Sequence, residues 1–392
     1  MKRFFVLALA CALTSAIGPQ AARSASSIDV PVIISLTGPG ALIGAPMKKS
    51  LEVLAKSVND GGGIGGAQLN LVFQDDATNP QNAVQFMDQA IAAKVPLVLG
   101  PSSTSTCRAT APLVEKSGPV QYCLSPGGPT PKGGFSFSSG YATLDAYKTS
   151  VRYFYARGMR RIAILAPTDA TGQDGEHTLD TVLADYKDMT VVAREHFNVG
   201  DVSILAQISR IKAADPQMLF AWATGTPMGT ILHGMVDGGF DVPTFTSHGN
   251  MTYSTMDAFG NLAPKAGLFF ASPLFIARDV LPKGAALDGV DRFTRLLQAA
   301  GAQPDVGYSL GWDAGLVSFE ALKHTGAAAT AAQVRDYIET MHGFSGSAAV
   351  FDFRDGSQRG ITASNILVAR WQPQTHGWVA VSEPGGKPLQ NR

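Results

Sequence analysis

A run of small hydroxyl side chains, Ser-Ser-Thr-Ser-Thr, occupies residues 102–106, directly after Gly100 and Pro101. The run ends a predicted strand and opens a predicted helix, so hydroxyls and unpaired backbone N–H groups converge where the helix dipole is positive. Such an arrangement suits a carboxylate, while an ordinary helix N-cap uses the same residue types. This segment alone leaves both interpretations open.

A second polar loop, residues 124–129, contains Ser125 and Gly127 and follows the next predicted strand. Open α/β sheets bind ligands in loops at the carboxyl ends of neighbouring parallel strands. The two loops together therefore predict a binding site at one edge of a sheet.

Two short motifs match known functional patterns, but neither has the flanking secondary structure that its function requires. Gly61, Gly63 and Gly66 satisfy G-x-G-x-x-G, but they follow a predicted helix and precede a strand, which favours a helix end and turn over a dinucleotide site. Residues 307–311 satisfy the hydrolase pattern G-x-S-x-G around Ser309, but Gln-Pro-Asp precedes them where a strand is required. A chance match is favoured, and a serine hydrolase using Ser309 stays the enzyme alternative.

Metal and phosphate motifs are missing from the sequence. The seven histidines have no ligand spacing with Cys, Asp or Glu, and no G-x-x-x-x-G-K-[ST] loop exists. We therefore predict no metal, no cofactor and no enzymatic activity. Asp75 and Asp76 end a predicted strand, where they either form a carboxylate pair or cap a turn.

Predicted strands and helices alternate along the chain, as in parallel sheets covered by helices on both faces. The predicted strands are 29–36, 68–73, 95–100, 120–124, 161–165, 190–195, 218–223 and 244–246. The predicted helices are 45–59, 80–93, 104–117, 144–157, 172–186, 202–213, 228–238 and 311–323. The chain is too long for one typical core, so we predict an α/β fold with two doubly wound parallel-sheet lobes.

The boundary near residues 139–143 contains no flexible linker, which predicts a structured hinge that the chain crosses several times. We assign residues 27–140 and 273–350 to the N-terminal lobe. Residues 141–272 and 351–392 are assigned to the C-terminal lobe.

The N-terminus has the form of a secretory signal, because Lys2 and Arg3 precede an apolar stretch too short to span a bilayer. We predict removal of residues 1–26, with the mature periplasmic chain beginning between Ala22 and Ile28. Cys11 offers a lipoprotein alternative, but the residues before it match a lipobox poorly.

The charge of the mature chain excludes some partners. Without Lys2, Arg3 and Arg23 the chain has three more acidic than basic residues and no basic cluster with interleaved aromatics. It therefore has no electrostatic reason to bind nucleic acid or anionic lipid.

Two cysteines remain after processing. Cys107 lies in the first turn of a predicted helix and Cys123 near the end of the following strand, and these two positions meet at the same edge of a parallel sheet. An even count in an oxidising compartment favours a disulfide, with two buried free thiols as the alternative.

The order and spacing of these loops resemble the type I periplasmic solute-binding proteins of branched-chain amino acid transporters, over nearly all of the mature chain. The motifs that carry the resemblance are Ser-Leu-Thr-Gly-Pro at 35–39, the turn at 59–66, Asp-Asp-Ala-Thr-Asn-Pro at 75–80, Gly-Pro-Ser-Ser-Thr at 100–104, Ser-Pro at 125–126 and Asp-Ala-Thr-Gly-Gln at 169–173. The resemblance implies a Venus-flytrap fold whose two lobes close over a ligand.

The resemblance also implies a set of ligand-binding residues. In that family the Gly-Pro-Ser loop and the loop after the next strand hold the ligand carboxylate, which points to Thr104, with Ser103 or Ser105 as alternatives, and to Ser125 and Gly127. The other implied contacts are Thr171, Trp222, Thr224, His248 and an aromatic wall at Tyr308.

The sequence departs from the amino-acid binders at residues 246–250, Thr-Ser-His-Gly-Asn, where they place an acidic partner for the ligand ammonium. Ile43 stands where they offer an aromatic. An unpaired buried ammonium is costly, so we predict a carboxylate with an apolar or aromatic body that need not carry an amine. His248 would then donate to a carbonyl, a hydroxyl or a second carboxylate, or it would lie exposed in its loop.

The resemblance implies that the protein captures a small carboxylate-bearing solute, an amino acid or an aromatic or keto acid. It would deliver this solute to an inner-membrane ABC permease and its ATPase. We expect a monomer. A ligand-sensing module that docks on a receptor is the remaining non-enzymatic alternative.

Overall fold

A computed structural model describes residues 27–389 of the chain. The predicted signal segment, its cleavage point and Cys11 lie outside the described residues. Residues 27–138 form the first sheet and its helices. In chain order these elements are β1 (Ser27–Ile34), α1 (Ala41–Asp60), β2 (Gln68–Asp75), α2 (Pro80–Ala92), β3 (Leu97–Leu99), α3 (Thr104–Val114), β4 (Val120–Cys123) and β5 (Ser136–Ser138).

All five strands of the first sheet are parallel, in the order β2-β1-β3-β4-β5. The apolar residues Val32, Ile33 and Ile34 of β1 are fully buried because helices cover both faces. The strand order reverses between β1 and β3. In such sheets the loops at the carboxyl ends of those strands diverge and leave a crevice.

Residues 143–272 form the second sheet. In chain order these elements are α4 (Thr143–Ala156), β6 (Arg161–Pro167), α5 (Ala170–Leu183), β7 (Thr190–Phe197), α6 (Leu205–Ala213), β8 (Met218–Ala221), α7 (Thr226–Asp237), β9 (Thr244–Thr246), α8 (Tyr253–Phe259) and β10 (Leu268–Ser272). The parallel part has the order β7-β6-β8-β9-β10, which repeats the order of the first sheet. Its crevice therefore opens between β6 and β8.

The rest of the described chain returns to both sheets. The elements are α9 (Ala285–Ala299), α10 (Val306–Thr325), α11 (Ala331–Thr340), β11 (His342–Ser345), β12 (Val350–Asp352), β13 (Leu367–Gln372) and β14 (Gly377–Ala380). Helix α10 packs closely on α1, and a Cβ atom at Gly311 would lie 2.5 Å from Ser50 Oγ. Strands β13 and β14 extend the second sheet as antiparallel strands beside β10.

The chain passes between the sheets three times, after β5, β10 and β12. The predicted α/β fold with two doubly wound lobes and a multi-crossing hinge is confirmed. The last crossing comes later than the assigned boundary at residue 351. The Phe353 ring lies edge-on to Phe137, and the Gln358 side chain bonds the Gly134 carbonyl, so residues 351–359 pack on the first sheet. The reason is that β12 pairs with β11 and continues the apolar surface of the first lobe.

The predicted disulfide is confirmed, since a bond joins Cys107 in the first turn of α3 to Cys123 at the end of β4, with Cα atoms 6.0 Å apart. The run of glycines after α1 is a turn rather than a phosphate loop, as predicted. Gly63 has a φ of +74°, and its N–H donates to the Val58 carbonyl at the end of the helix.

Candidate functional site

A cavity of about 240 Å³ lies between the carboxyl ends of the two sheets. The first lobe contributes the loops after β1, β3 and β4, and the second contributes the loops after β6, β8 and β9. Both crevices predicted by strand order therefore open into one space.

Hydroxyl groups form the first-lobe wall. Ser102, Ser103, Thr104 and Ser105 line the cavity together with Ser125. The Thr104 and Ser125 hydroxyl oxygens are 3.0 Å apart. Ser103 caps α3, because its oxygen accepts the Thr106 N–H. The first-turn amides of Thr104 and Ser105 have no acceptor within the helix, so this wall offers hydroxyl and amide donors at the positive end of a dipole.

A buried carboxylate supports this wall from below. The Ser35 hydroxyl donates to Asp76 Oδ1 over 2.6 Å, and the Ser35 N–H donates to Ser102 Oγ over 2.9 Å. Burial raises the pKa of Asp76. Asp75 instead accepts backbone N–H bonds from Leu36 and Ala77, so the Asp75–Asp76 pair orders the loop after β1 and does not face the cavity.

Another part of the cavity lining is apolar. Ile43 and Met47 from α1, Leu310 from α10 and Trp222 after β8 line it. Trp222 is 4% exposed, and its ring centroid lies 4.7 Å from that of Tyr147. Packing against Tyr147 holds the indole in place at the cavity wall.

The second lobe adds polar groups at Thr171, Thr224, Ser247 and Asp169. Asp169 caps α5, because its Oδ1 accepts the Gly172 N–H over 2.9 Å. Among the lining residues of the described chain it is the only one with a charged side chain. The sequence prediction missed Asp169, although a polar residue that caps a helix after a strand is the same signal that identified Ser103.

The structure brings seven of the ten sequence-predicted ligand residues to the cavity wall. These are Ser103, Thr104, Ser105, Ser125, Thr171, Trp222 and Thr224. Gly127 lies behind Thr104, and a Cβ atom there would be 2.3 Å from Thr104 Oγ1. Tyr308 is half-buried in the first turn of α10 and does not line the cavity.

His248 lies beneath the cavity and not in it. The residue is 1% exposed and does not line the cavity, so it is not the exposed loop histidine of the alternative interpretation. Its ring packs against Tyr141 at a tilt of 39°, with 4.4 Å between ring centroids. Neither ring nitrogen has a hydrogen-bond partner among the described residues. Burial, with a contribution from the Arg359 charge, lowers the pKa of His248 to about 3, so the ring is neutral at physiological pH.

Ser309, the serine of the hydrolase alternative, has no catalytic surroundings. Ser309 is 2% exposed inside α10, and its oxygen lies 2.6 Å from Ser347 Oγ, which in turn bonds Asp313. Within residues 27–389, no group of three or more His, Cys, Asp or Glu side chains has a metal-binding arrangement. In the same part of the chain no helix is long and apolar enough to cross a bilayer.

The two lobes touch on both sides of the cavity. On one side Arg108 of α3 donates to Asp174 of α5 over 2.6 Å. On the other side the Thr226 N–H donates to the Pro39 carbonyl over 3.4 Å. Gly225 has a φ of +71°, and a Cβ atom there would lie 2.2 Å from the same carbonyl oxygen. The structure is therefore a closed form.

Comparison with known proteins identifies the family. A family model described as periplasmic binding protein matches residues 27–376. The leucine-, isoleucine-, valine-, threonine- and alanine-binding protein of Pseudomonas aeruginosa is 25% identical over 223 residues, 56% of this chain. That match spans 59% of the relative's length.

Solved structures share the fold over almost the whole chain. An extracellular ligand-binding receptor from Rhodopseudomonas palustris HaA2 superposes with a TM-score of 0.80 at 18% identity, covering 91% of this chain and 99% of the other. A solute-binding protein of an R. palustris ABC transporter, in complex with benzoate, superposes at 0.75 with 15% identity, covering 94% and 98%. The chain belongs to the periplasmic binding proteins, with the type I fold of the branched-chain amino acid family.

Proposed function

We propose that the protein is the periplasmic substrate-binding component of an ABC importer that captures a small carboxylate-bearing solute between its lobes. The observation that carries this proposal is the closed cavity at the switch points of both sheets, with hydroxyls and helix amides on one wall. No catalytic group adjoins those hydroxyls among the described lining residues. The site therefore supports capture and release without chemistry.

The ligand carboxylate is assigned to the first lobe. Thr104 and Ser125 present adjacent hydroxyls, and the first-turn amides of α3 add donors. Hydrogen bonds to a charged group are stronger than neutral ones, so such a cluster holds a carboxylate without a side-chain cation on the wall.

The body of the ligand is assigned to the apolar wall formed by Ile43, Met47, Leu310 and Trp222. These side chains suit a branched aliphatic group or a single aromatic ring. The relative in P. aeruginosa is named for leucine, isoleucine, valine, threonine and alanine, and the structural neighbour from R. palustris is in complex with benzoate, so the panel of candidate ligands contains amino acids and aromatic acids.

A thermal-shift screen of the mature protein tests the proposal against amino acids, aromatic acids, keto acids and neutral amides. A ligand at a hundred times its Kd adds about 2.7 kcal/mol to the free energy of unfolding, which raises Tm measurably. Thr104→Val removes the hydroxyl while keeping the side-chain shape, and we expect its Kd to rise about ten- to a hundredfold.

Thr110→Val is the matched control, because Thr110 is buried in the same helix and its hydroxyl bonds only helix carbonyls. Its Kd should stay within about twofold of wild type. The proposal fails if no carboxylate of the panel shifts Tm, or if an ester is turned over.

Export and delivery complete the proposal. The N-terminal residue of the protein recovered from the periplasm should fall between Ala22 and Ile28. Genes for a permease and an ATPase beside this gene would fit delivery to a transporter, whereas receptor genes alone would favour the sensing alternative.

A further inference from the structure

Arg359 is a buried arginine directly behind the carboxylate wall. The residue is 9% exposed, although it comes from the last segment before the chain crosses to β13. Its Nη1 donates to Ser138 Oγ over 2.9 Å and its Nη2 donates to the Gly128 carbonyl over 2.7 Å. The Ser138 hydroxyl in turn donates to the Ser125 carbonyl. Arg359 is thus connected to both ends of the loop that carries Ser125.

The charge of Arg359 has no direct counter-ion in the protein. No carboxylate oxygen within residues 27–389 lies within 4 Å of its guanidinium, and both hydrogen bonds described above go to neutral oxygens. Burial lowers the pKa of Arg359 to about 10, while the more distant Asp174 and Asp145 oppose that shift. The guanidinium is therefore charged at neutral pH. A buried charge without a partner is costly and calls for a compensating anion.

The lining of the cavity itself supplies no positive charge, and the other arginine that bonds this loop, Arg108 at the Gly127 carbonyl, is paired with Asp174. Its lining has no Lys, Arg or His among the described residues, and Asp169 contributes a negative charge from the second lobe. Hydroxyls and amides orient a carboxylate but carry no net charge. The guanidinium charge of Arg359 lies directly behind these donors. In surroundings of low dielectric constant, such a charge attracts an anion in the cavity strongly.

We propose that Arg359 is a specificity-determining residue that selects an anionic ligand group over its neutral isostere. It acts through the loop at residues 125–128, both by its charge and by its bonds to Ser138 and Gly128. This inference rests on the proposed capture of a carboxylate and adds the source of the charge selectivity.

The test measures the Kd of three acids and of their primary amides by calorimetry. The pairs are benzoate and benzamide, leucine and leucinamide, and 4-methyl-2-oxopentanoate and its amide, and the readout is the amide-to-acid ratio of Kd values. In Arg359→Gln, which keeps donor groups without the charge, the ratio should fall about tenfold. Arg359→Lys keeps the charge, and its ratio should stay within about threefold of wild type.

Arg354→Gln is the matched control, since Arg354 lies in the same segment but is exposed and paired with Asp352. Its ratio should not change. Arg359→Met, which fills the space without burying an amide, replaces the glutamine variant if that variant does not fold.

The outcomes separate two failures. If the wild-type protein binds none of the acids, both the proposed function and this inference are overturned. If the acids bind but Arg359→Gln weakens acid and amide equally, Arg359 only supports the loop, and the charge selection alone is refuted.

Discussion

Asp169 contributes both to the fold and to the cavity lining. One carboxylate oxygen accepts the Gly172 N–H at the start of α5, and the residue also lines the cavity. In this position it can accept a hydrogen bond from a ligand amine, the role that the sequence at residues 246–250 lacks.

We predict that Asp169→Asn distinguishes amine-bearing ligands from simple acids. Asparagine is an equally good helix cap, so the fold should be retained. The Kd for leucine should rise about tenfold because a charge-assisted bond to the ammonium is lost, while the Kd for benzoate should stay the same or fall. Calorimetry with both ligands checks this, and equal changes for the two would show that Asp169 serves only as a cap.

His248 gives a pH dependence to the stability of the protein. Its pKa is about 3 in the folded chain and 6.5 in the unfolded chain. As pH falls below 6.5 the unfolded chain takes up a proton that the folded chain does not, so His248 lowers the free energy of unfolding progressively towards pH 3.

We predict that His248→Gln removes this contribution. As pH falls below 6, the free energy of unfolding of the wild type should decrease relative to that of the variant by about 1.4 kcal/mol per pH unit. Asp305 and Asp313, whose pKa values burial raises to about 7, titrate equally in both proteins and cancel from the difference. Urea unfolding at pH 7, 6 and 5 measures it, with the exposed His233→Gln as control. Parallel pH profiles for wild type and His248→Gln would contradict the prediction.

Only some of the residues that line the cavity could be predicted from the sequence. Thr104 and Ser125 follow strand ends in recognisable loops, and the carboxyl ends of parallel strands must share an edge. His248 also follows a strand end, but the depth of a side chain in its loop depends on neighbours such as Tyr141 that are distant in sequence. Met47 and Leu310 belong to helices that the loop motifs do not identify.

At the level of elements, a side-chain cap made some helix starts predictable but not all, since α10 begins at Val306 behind the cap Asp305, five residues before its predicted start. Helices α2 and α3 begin where the sequence predicted, behind the caps Asn79 and Ser103. Helix α1 begins four residues before its predicted start, and α6 begins three residues after, because neither has a side-chain cap. The strands β5 and β10 were not predicted.

The disulfide connects two elements of the carboxylate wall. It joins the first turn of α3 to the end of β4, and Gly128 packs against it closely enough that a Cβ atom would lie 2.8 Å from Cys123 Sγ. We predict that the double variant Cys107→Ala, Cys123→Ala lowers the free energy of unfolding by about 3 kcal/mol, as expected for the loss of a loop closure of this length.

Urea unfolding of this variant, compared with the wild type in oxidised and reduced form, measures the effect. The oxidised wild type should contain no thiol that reacts before reduction, and reduced wild type should resemble the variant. Equal alkylation before and after reduction would mean that the bond does not form.

At the scale of the whole molecule, the contact between Arg108 and Asp174 connects the lobes in the closed form. Asp174 is held in place by Thr143, whose hydroxyl donates to its other oxygen over 2.8 Å. Arg108 is partly exposed, with 40% of its side-chain surface accessible, so the pair contributes modestly.

We predict that Arg108→Ala raises the Kd of every ligand by about two- to fivefold, since it removes an ion pair that exists only in the closed form. Small-angle scattering should show a larger radius of gyration at subsaturating ligand. Arg157→Ala, which removes an arginine from the end of α4, is the control and should change neither quantity. A loss of affinity for acids but not amides would instead assign Arg108 to the binding of the carboxylate.

Most of the arrangement of the whole molecule followed from the alternation of strands and helices. The first crossing near residues 139–143 was predictable because two runs of alternating strands and helices meet there. No segment with the composition of a flexible linker separates these runs. The last crossing was placed too early, because residues 351–359 are held on the first lobe by Phe353, Gln358 and Arg359 through contacts far apart in sequence.

The three crossings limit how the molecule can deform. Two bodies joined by one strand can rotate about any axis, whereas three side-by-side connections resist twisting and sliding and leave one bending coordinate free. Opening and closing of the lobes then follow a single hinge-bending motion. Because little rotational freedom between the lobes remains to be lost when a solute closes them, this part of the entropic cost of binding is small.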